Sequence, residues 1–171
     1  TFNQAITTAD TLFIKRMTLN KGHNAHVFLS GLLAIDDSLS FVKGIVYPDS
    51  VSAVLFGDTA IAQGGSDSSY VNGPVEKRGN TEFVFPVGKN DYYRAIGISA
   101  PNTASDKFRA EFWEGNSGLI HSHDSTDVSL TALSRNEYWS LNRVNGTSIV
   151  SVKLSWDTLK TSCRFSTIGS L

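Results

Sequence analysis

The chain has 171 residues, with 15 basic and 16 acidic side chains and a formal net charge of −1. This balance gives no global field that would attract nucleic acid or an anionic membrane, so neither is expected as a partner. No apolar run approaches the roughly 20 residues that a membrane-spanning helix needs, so membrane insertion is not expected either. The length suits one large domain or two small ones.

The composition favours a β-rich chain. Charged residues make up 18%, below the usual share of about 25%, while Gly, Ser, Thr, Asn and Val are plentiful. The only cysteine, Cys163, excludes an internal disulfide framework. It lies in the strand-like "TSCRFSTI" and would be a nucleophile only beside a base, so no catalytic role is predicted for it.

The first part of the chain reads as a series of alternating strands. Four runs of period-two alternation cover residues 12–20, 26–36, 39–48 and 50–57. They recur about every dozen residues with short polar turns between them, which predicts a β-solenoid-like (β-helix) or meander region over residues 1–68. The polar stretch "AQGGSDSS", residues 62–69, has the composition of a linker or loop and predicts a boundary near residue 70.

The second part, residues 69–171, is predicted to be an antiparallel β-sandwich with little helix. Seven further strand-like runs cover residues 69–79, 82–88, 92–101, 107–115, 127–133, 137–144 and 147–156. In "KFRAEFWEG", Phe108, Ala110 and Phe112 alternate with charged residues, as in a half-buried antiparallel strand. Asn145-Gly146 predicts a type I′ hairpin turn between the last two runs.

The stretch "GPVEKRGNTEFVFPVGK", residues 73–89, is interpreted as a structural hairpin at the start of the second part. Pro74 has no N–H and belongs at a strand start or an edge. The segment from Lys77 to Asn80 is predicted to be a charged turn. Phe83 and Phe85 share one strand face and are expected in the core, with Val84 opposite.

Histidines offer two candidate metal sites. In "HSHDSTD", His121 and His123 are spaced to share one strand face, with Asp124 or Asp127 as a third ligand. The surrounding Ser, Thr and Asp favour a polar surface turn instead. His23 and His26 bracket "HNAH", which more simply flanks a turn. No metal and no other cofactor is therefore predicted.

Aromatic residues offer a candidate ligand platform. Tyr93, Trp113 and Trp139, with Tyr92 and Tyr138 nearby, are candidates for a flat face that binds sugars or peptides. In paired neighbours such as Tyr92-Tyr93, one ring should be buried and the other exposed. The alternative to a platform, core packing and covering of edge strands, is favoured. Glu111 and Glu114 near Trp113 suggest a glycosidase, but residues i and i+3 of a strand point to opposite faces and cannot flank one bond.

Two ordered motifs carry a resemblance to a known class of proteins. The first is "YVNGPVEKRGNTEFVFPVGKNDYYRAIGIS", from Tyr70 to Ser99, and the second is "NEYWSLNRVNGTSIVSVKLSWD", from Asn136 to Asp157. Together they resemble a module of large secreted surface proteins of Bacteroidetes, many of them exported by the type IX secretion system. Ala95 stands where that module usually has proline, Ser140 stands where it usually has aspartate, and the match stops after Asp157.

The resemblance implies a secreted, extracellular or cell-surface protein with a structural or adhesive role, an adhesin or a filament component, and no catalytic residues at these motifs. Partners would be other copies or other surface proteins joined through open strand edges, with glycans as a further class. The alternative is a carbohydrate-binding module of a secreted enzyme, based on Trp113 and Trp139. A third interpretation is a metal-dependent hydrolase built on His121 and His123.

Overall fold

The computed structural model describes residues 2–22, 25–120 and 134–155. Its regular elements are strands and one short 3-10 turn, Ser117–Leu119. The strands are β1 Gln4–Thr7, β2 Leu12–Asn20, β3 Val27–Ser30, β4 Leu32–Pro48, β5 Ala53–Phe56, β6 Ile61–Gly64, β7 Ser69–Val71, β8 Val75–Arg78, β9 Phe83–Phe85, β10 Gly88–Lys89, β11 Tyr92–Tyr93, β12 Ile96–Ile98, β13 Lys107–Glu114, β14 Glu137–Asn145 and β15 Val152–Leu154. Among these residues no helix is both long and apolar enough to cross a membrane.

Residues 4–78 form a stack of parallel coils. β2 pairs in parallel with the start of β4, the start of β4 pairs with β5, and β5 pairs with β8. Leu12, Leu33, Val54 and Val75 lie side by side in this ladder at a constant interval of 21 residues (12, 33, 54, 75). The interval of about a dozen residues seen in the sequence is therefore the spacing of strands within a coil, and the coil itself is longer.

Two more parallel ladders give each coil three sides. One contains β1, β3, the end of β4 and β7, and the other contains the end of β2, the middle of β4 and β6. The 17-residue β4 serves all three ladders because it turns corners without ending. Gly44 takes φ +106° at one corner, where a Cβ would lie 2.7 Å from the Lys21 side chain. A glycine is therefore required there.

Aliphatic columns run through the coils. Val27, Val46 and Val71 form one column, and Leu29, Ile35 and Leu39 fill other positions of the second coil with at most 2% exposure. These residues belong to one continuous cluster that also contains Phe108 and Phe112 of the following strands. Burial of such columns against the next coil is the main stabilising term of a stacked fold.

Antiparallel strands follow the coils. β13 pairs antiparallel with β8 on one edge and with β14 on the other, so it covers the last coil. A separate three-stranded antiparallel sheet has the order β15-β12-β9. In β13, Phe108, Ala110 and Phe112 are buried and alternate with half-exposed residues, as predicted. The all-β prediction, with solenoid-like coils followed by antiparallel sheets, is confirmed.

Parallel pairing continues across the expected boundary. β7 pairs with β4 and β8 pairs with β5, so strands after residue 69 still belong to the coils. The division into residues 1–68 and 69–171 was drawn from composition and stays a prediction.

The hairpin predicted at Asn145-Gly146 is wrong. β14 pairs with β13, and the chain after Gly146 crosses to the other sheet, where β15 pairs with β12. The two-residue hairpin lies at Asn90-Asp91, which joins β10 to β11 with φ of +48° and +64°. Asn and Asp tolerate these left-handed angles better than other non-glycine residues.

Lys77 also departs from its predicted place. Phe83 and Phe85 are buried and Val84 is exposed, as expected, but Lys77 lies in β8 and not in a turn. It stands in the interior column of Ile14, Ile35 and Phe56 and is 1% exposed. Its Nζ donates to the carbonyls of Gly57 (2.6 Å), Asp58 (2.5 Å) and Ala60 (3.2 Å). The ammonium therefore closes the turn between β5 and β6.

Candidate functional site

The first coil presents an open end, defined by the free edges of β1 and β2. β1 pairs only with β3, and β2 pairs only with β4, within the described residues. A strand edge without a partner exposes backbone N–H and C=O groups that can pair with another strand. The edge lies beside a cavity of about 620 Å³ lined by β1, β2 and Val27.

Burial at the open end differs from burial one coil further in. Ile14 pairs with Ile35 and Met17 with Leu39, so each pair occupies equivalent positions. Ile35 and Leu39 are fully buried, whereas Ile14 and Met17 are only partly buried. Leu12 is 36% exposed, while its partner Leu33 is 0% exposed. On β2, apolar surface and backbone groups are therefore both left uncovered.

A second candidate is the Trp113 face, which consists of Trp113, Tyr138, Ser140 and Lys89 with the neighbouring charged residues of β8 and β13. Strand alternation directs Trp113 away from the core, because its neighbour Phe112 is buried. The antiparallel register places Tyr138 directly opposite Trp113 and Ser140 opposite Glu111.

Trp113 is held by contacts on several sides. Its ring stacks on Tyr138, with centroids 6.4 Å apart and an interplanar angle of 15°. Its Nε1 donates to Ser140 Oγ at 3.2 Å. Lys89 Nζ lies 4.5 Å from the Trp113 ring centroid, in cation–π range. The Asn90-Asp91 hairpin positions Lys89, and Asn90 Nδ2 also donates to Glu114 Oε2.

Charged residues of β13 and β8 continue this face beyond the aromatic pair, with Glu76 paired opposite Arg109. Glu76 is 7% exposed and accepts from Lys107 Nζ at 3.0 Å and from Arg109 Nη1 at 3.4 Å. Burial raises the pKa of Glu111, and the positive charges of Lys89 and Arg109 oppose that rise. The result is a rigid aromatic surface with charged groups beside it. Such a surface can stack against a sugar or peptide group and hydrogen-bond to it.

The structure separates the three residues of the predicted ligand platform. Trp139 points the other way from Trp113, packs on Phe112 with centroids 5.4 Å apart, and donates from Nε1 to the Arg94 carbonyl at 2.8 Å. Tyr93 lies on β11 with its ring against the backbone of Gly65, and burial raises its pKa. The three rings do not share one face, and ligand binding by any of them stays a prediction.

The predicted metal and thiol positions fall largely outside the described residues. The positions outside the described residues are His121, His123, Asp124, Asp127, His23 and Cys163. His26 is described, and its ring packs edge-on against Tyr47 with centroids 5.1 Å apart. Within residues 2–22, 25–120 and 134–155 no three His, Cys, Asp or Glu side chains are grouped to hold a metal ion.

Sequence reasoning did not assign a role to Lys89 or to the first-coil residues, and it placed Tyr138 only near the predicted platform. Tyr138 and Trp139 are adjacent, so alternation shows only that one of them points outward. The pairing of β13 with β14 decides which one, and it is a tertiary property. The coil period had a readable signal in the 21-residue spacing of Leu12, Leu33, Val54 and Val75.

The comparisons with known proteins identify no family for this chain. The resemblance to the Bacteroidetes surface module therefore stays a prediction. No protein-family model, no curated protein and no solved structure matches this chain.

Proposed function

We propose that this chain is a non-enzymatic structural or adhesive protein of the cell surface or extracellular space, and that it assembles through its β-strand edges. The observation that supports this function most strongly is the open end, where β1 and β2 each have a free edge within the described residues. Adding a strand to such an edge gains main-chain hydrogen bonds, and the side chains of alternate residues provide specificity.

Two further features support this proposal. The parallel coils form a stiff body in which each coil is held by its neighbours, as in other stacked-repeat proteins used to build extended surfaces. The resemblance of the two ordered motifs, residues 70–99 and 136–157, to a module of secreted surface proteins also supports secretion and a surface location. The partners proposed are other copies of this chain or other surface proteins.

Sedimentation velocity and electron microscopy over a range of protein concentrations test assembly, and retention of the labelled protein on bacterial cells tests adhesion. Ile14→Lys places a charge on the half-buried side of β2 and should reduce both. Val42→Lys is the matched control, since Val42 lies on β4 and is already 56% exposed. If the wild-type chain stays monomeric and is not retained on cells, the proposal fails.

A second candidate function is carbohydrate binding, favoured by the outward stack of Trp113 on Tyr138. A flat pair of rings beside hydroxyl and charged groups suits the apolar face and the hydroxyls of a pyranose. A glycan array is the test, with Trp113→Ala and Tyr138→Ala as disabling variants. Phe13→Ala removes an exposed ring of the coils and is the control. Binding that survives loss of Trp113 would contradict this function.

A further inference from the structure

β14 has an unpaired edge at the opposite end of the large sheet from β1. It pairs with β13 on one side and is the last strand in the order β1-β3-β4-β5-β8-β13-β14, so no strand of the described residues pairs with its other side. With nine residues, β14 is longer than a typical strand of about 5–6. It contains neither proline nor lysine, with which edge strands commonly prevent further pairing.

The regular part of β14 covers residues 137–143. Residues 114 to 108 of β13 pair with residues 137 to 143 in one constant antiparallel register. Residue 107 then pairs with residue 145, and this shift leaves Val144 without a partner residue. The segment "EYWSLNR" is therefore the part of β14 that a further strand can pair with in a regular register.

Apolar side chains on β14 are only half covered. Trp139 and Leu141 lie opposite Phe112 and Ala110, which are 2% and 0% exposed. Trp139 and Leu141 continue this buried row but are only partly buried themselves. A strand added to the unpaired edge would cover both residues with apolar side chains on the same face. The edge of β14 therefore leaves both backbone groups and apolar surface uncovered.

The two ends of the regular part carry opposite charges on one face. The Glu137 side chain is 15% exposed and accepts from Arg94 Nε at 3.2 Å through one oxygen, and a carboxylate can accept from a second guanidinium. Arg143 is exposed and donates to the carbonyls of Thr147 (3.2 Å) and Ser148 (2.8 Å). No carboxylate within the described ranges forms an ion pair with Arg143.

A second copy of β14 has the complementary pattern. A two-fold axis at Ser140 pairs residues that lie equally far from Ser140 on its two sides. Glu137 then lies opposite the partner's Arg143, and Trp139 lies opposite the partner's Leu141. Each of these pairs occurs twice in the interface because of the symmetry. Opposite charges and apolar groups directly across from each other stabilise paired strands.

Neighbouring registers lack this match. A two-fold axis has to pass through a residue position, since only then do facing side chains lie on the same side of the sheet. An axis at Leu141 leaves Glu137 opposite Asn145, and an axis at Trp139 leaves Glu137 opposite an apolar residue. Only the axis at Ser140 pairs both charged residues of the segment with each other.

We propose that β14 is a homodimer interface, in which two copies of this chain pair antiparallel along residues 137–143 about a two-fold axis at Ser140. The pairing joins the two large sheets into one. Two Glu137–Arg143 ion pairs and two contacts between Trp139 and Leu141 fix the register. This inference rests on the proposed function, assembly through strand edges, and names one edge and its partner, a second copy.

Cysteine cross-linking of the full chain measures the register directly. Ser140→Cys in a Cys163→Ser background places two thiols across the axis, at the Cα separation of about 4.5–5.5 Å that a disulfide accepts. Asn142→Cys is the matched control, because its two copies would lie about 13 Å apart along the strands. Mild oxidation should give a covalent dimer with Ser140→Cys only. No dimer with Ser140→Cys, or equal yields in both variants, would overturn the inference.

Charge reversal tests the ion pairs. Sedimentation velocity over a range of concentrations should show a monomer–dimer equilibrium for the wild type. Arg143→Glu should raise its dissociation constant at least about tenfold, because both ion pairs become repulsions. Lys153→Glu makes the same charge change on β15 and should leave the constant unchanged. A monomeric wild type, or equal constants for a folded Arg143→Glu and the wild type, would contradict the proposed dimer.

The two edges separate this inference from the function on which it rests. Assembly that is lost in Ile14→Lys but unaffected by Arg143→Glu would leave the edge function standing and show that the β14 dimer is wrong. A dimer that cross-links through Ser140→Cys, but forms no larger assembly and is not retained on cells, would support the interface without the adhesive role.

Discussion

The parallel coils and the antiparallel strands complete their backbone hydrogen bonding in different ways. A parallel coil cannot pair its strands internally, so its backbone and its apolar columns are completed only by the coils above and below. β13 and β14 run antiparallel and pair with each other. Within the described residues, the coil stack is covered at one end by β13, and β1 and β2 at the other end have no further strand paired with them. A coil without a neighbour is therefore one of the places where we expect partners to bind.

A buried carboxylate holds part of the antiparallel end. Asp106 is 1% exposed and accepts from Thr147 N at 3.1 Å, from Thr103 N at 3.2 Å and from the Ser148 hydroxyl. The bond from Ser148 is the largest cause that lowers the pKa of Asp106. The connection after β14 is thus fixed by one buried carboxylate, as the turn between β5 and β6 is closed by the buried ammonium of Lys77.

The largest effect is expected from comparing identical residues in adjacent coils. Ile35→Ala removes a fully buried side chain and should lower the free energy of unfolding by about 2–5 kcal/mol. Ile14→Ala, at the equivalent position of the open coil, should cost less than about 2 kcal/mol, because solvent already reaches Ile14. Urea denaturation of both variants measures the difference. Equal losses would mean that the first coil is as well covered as the second.

Two glycines test how tightly the antiparallel end is fixed. Gly146 and Gly115 both have positive φ, +89° and +135°, so alanine is strained at either position by about 1–3 kcal/mol. At Gly146 a Cβ would also lie 1.4 Å from Asp106 Oδ1, whereas at Gly115 nothing lies within 4 Å.

Gly146→Ala should therefore destabilise the protein by about 1–3 kcal/mol more than Gly115→Ala, the cost of overpacking. Thermal unfolding of the two variants measures this difference. If the two melting temperatures fall equally, Asp106 does not constrain the crossing after β14.

Lys77 is the one charged residue in the interior columns described above, and it tests how the last coil closes. Lys77→Met keeps the packing of the stem but removes the donor to three carbonyls, so we expect a loss of about 1–3 kcal/mol at neutral pH. Denaturation by urea measures it, with Lys43→Met on β4 as a control.

The pH dependence of the same variant provides an independent measurement. Burial lowers the pKa of Lys77 to about 8, below its ordinary value of 10.5. Between these values the unfolded chain binds more protons than the folded chain, so the stability of the wild type should rise with pH. Lys77→Met should lack this rise. An identical pH profile in both proteins would contradict the lowered pKa.

Local patterns were sufficient for much of the fold. The alternation of Phe108, Ala110 and Phe112, and of Phe83, Val84 and Phe85, predicted which side chains enter the core, because each strand buries one face. The all-β class followed from the same period-two signal along the chain. These features depend only on neighbouring residues.

Local sequence patterns did not predict which strands pair with each other. Asn145-Gly146 has the composition of a hairpin turn, but β14 finds its partner in β13, about 30 residues earlier in the chain. Lys77 looked like a surface charge because its burial depends on carbonyls about 20 residues away, at Gly57 and Asp58. The open end likewise becomes visible only when the coils are aligned in space.

The smallest effect is expected from an exposed ion pair of the coils, compared with a buried pair of the antiparallel end. The side chains of Arg16 and Asp37 are 73% and 36% exposed, whereas those of Arg94 and Glu137 are 3% and 15% exposed. A double-mutant cycle with Arg16→Met and Asp37→Asn should give a coupling energy below about 1 kcal/mol that weakens with salt.

The same cycle with Arg94→Met and Glu137→Gln should give a larger coupling energy with little dependence on salt, because water is excluded from the pair. Arg94 also donates to the Tyr93 carbonyl at 3.3 Å and lies over the Tyr92 ring, so single variants would overstate the ion pair and the cycle is needed. Equal coupling at the two sites would mean that burial does not strengthen this pair. The antiparallel end would then depend on packing to the same degree as the coils.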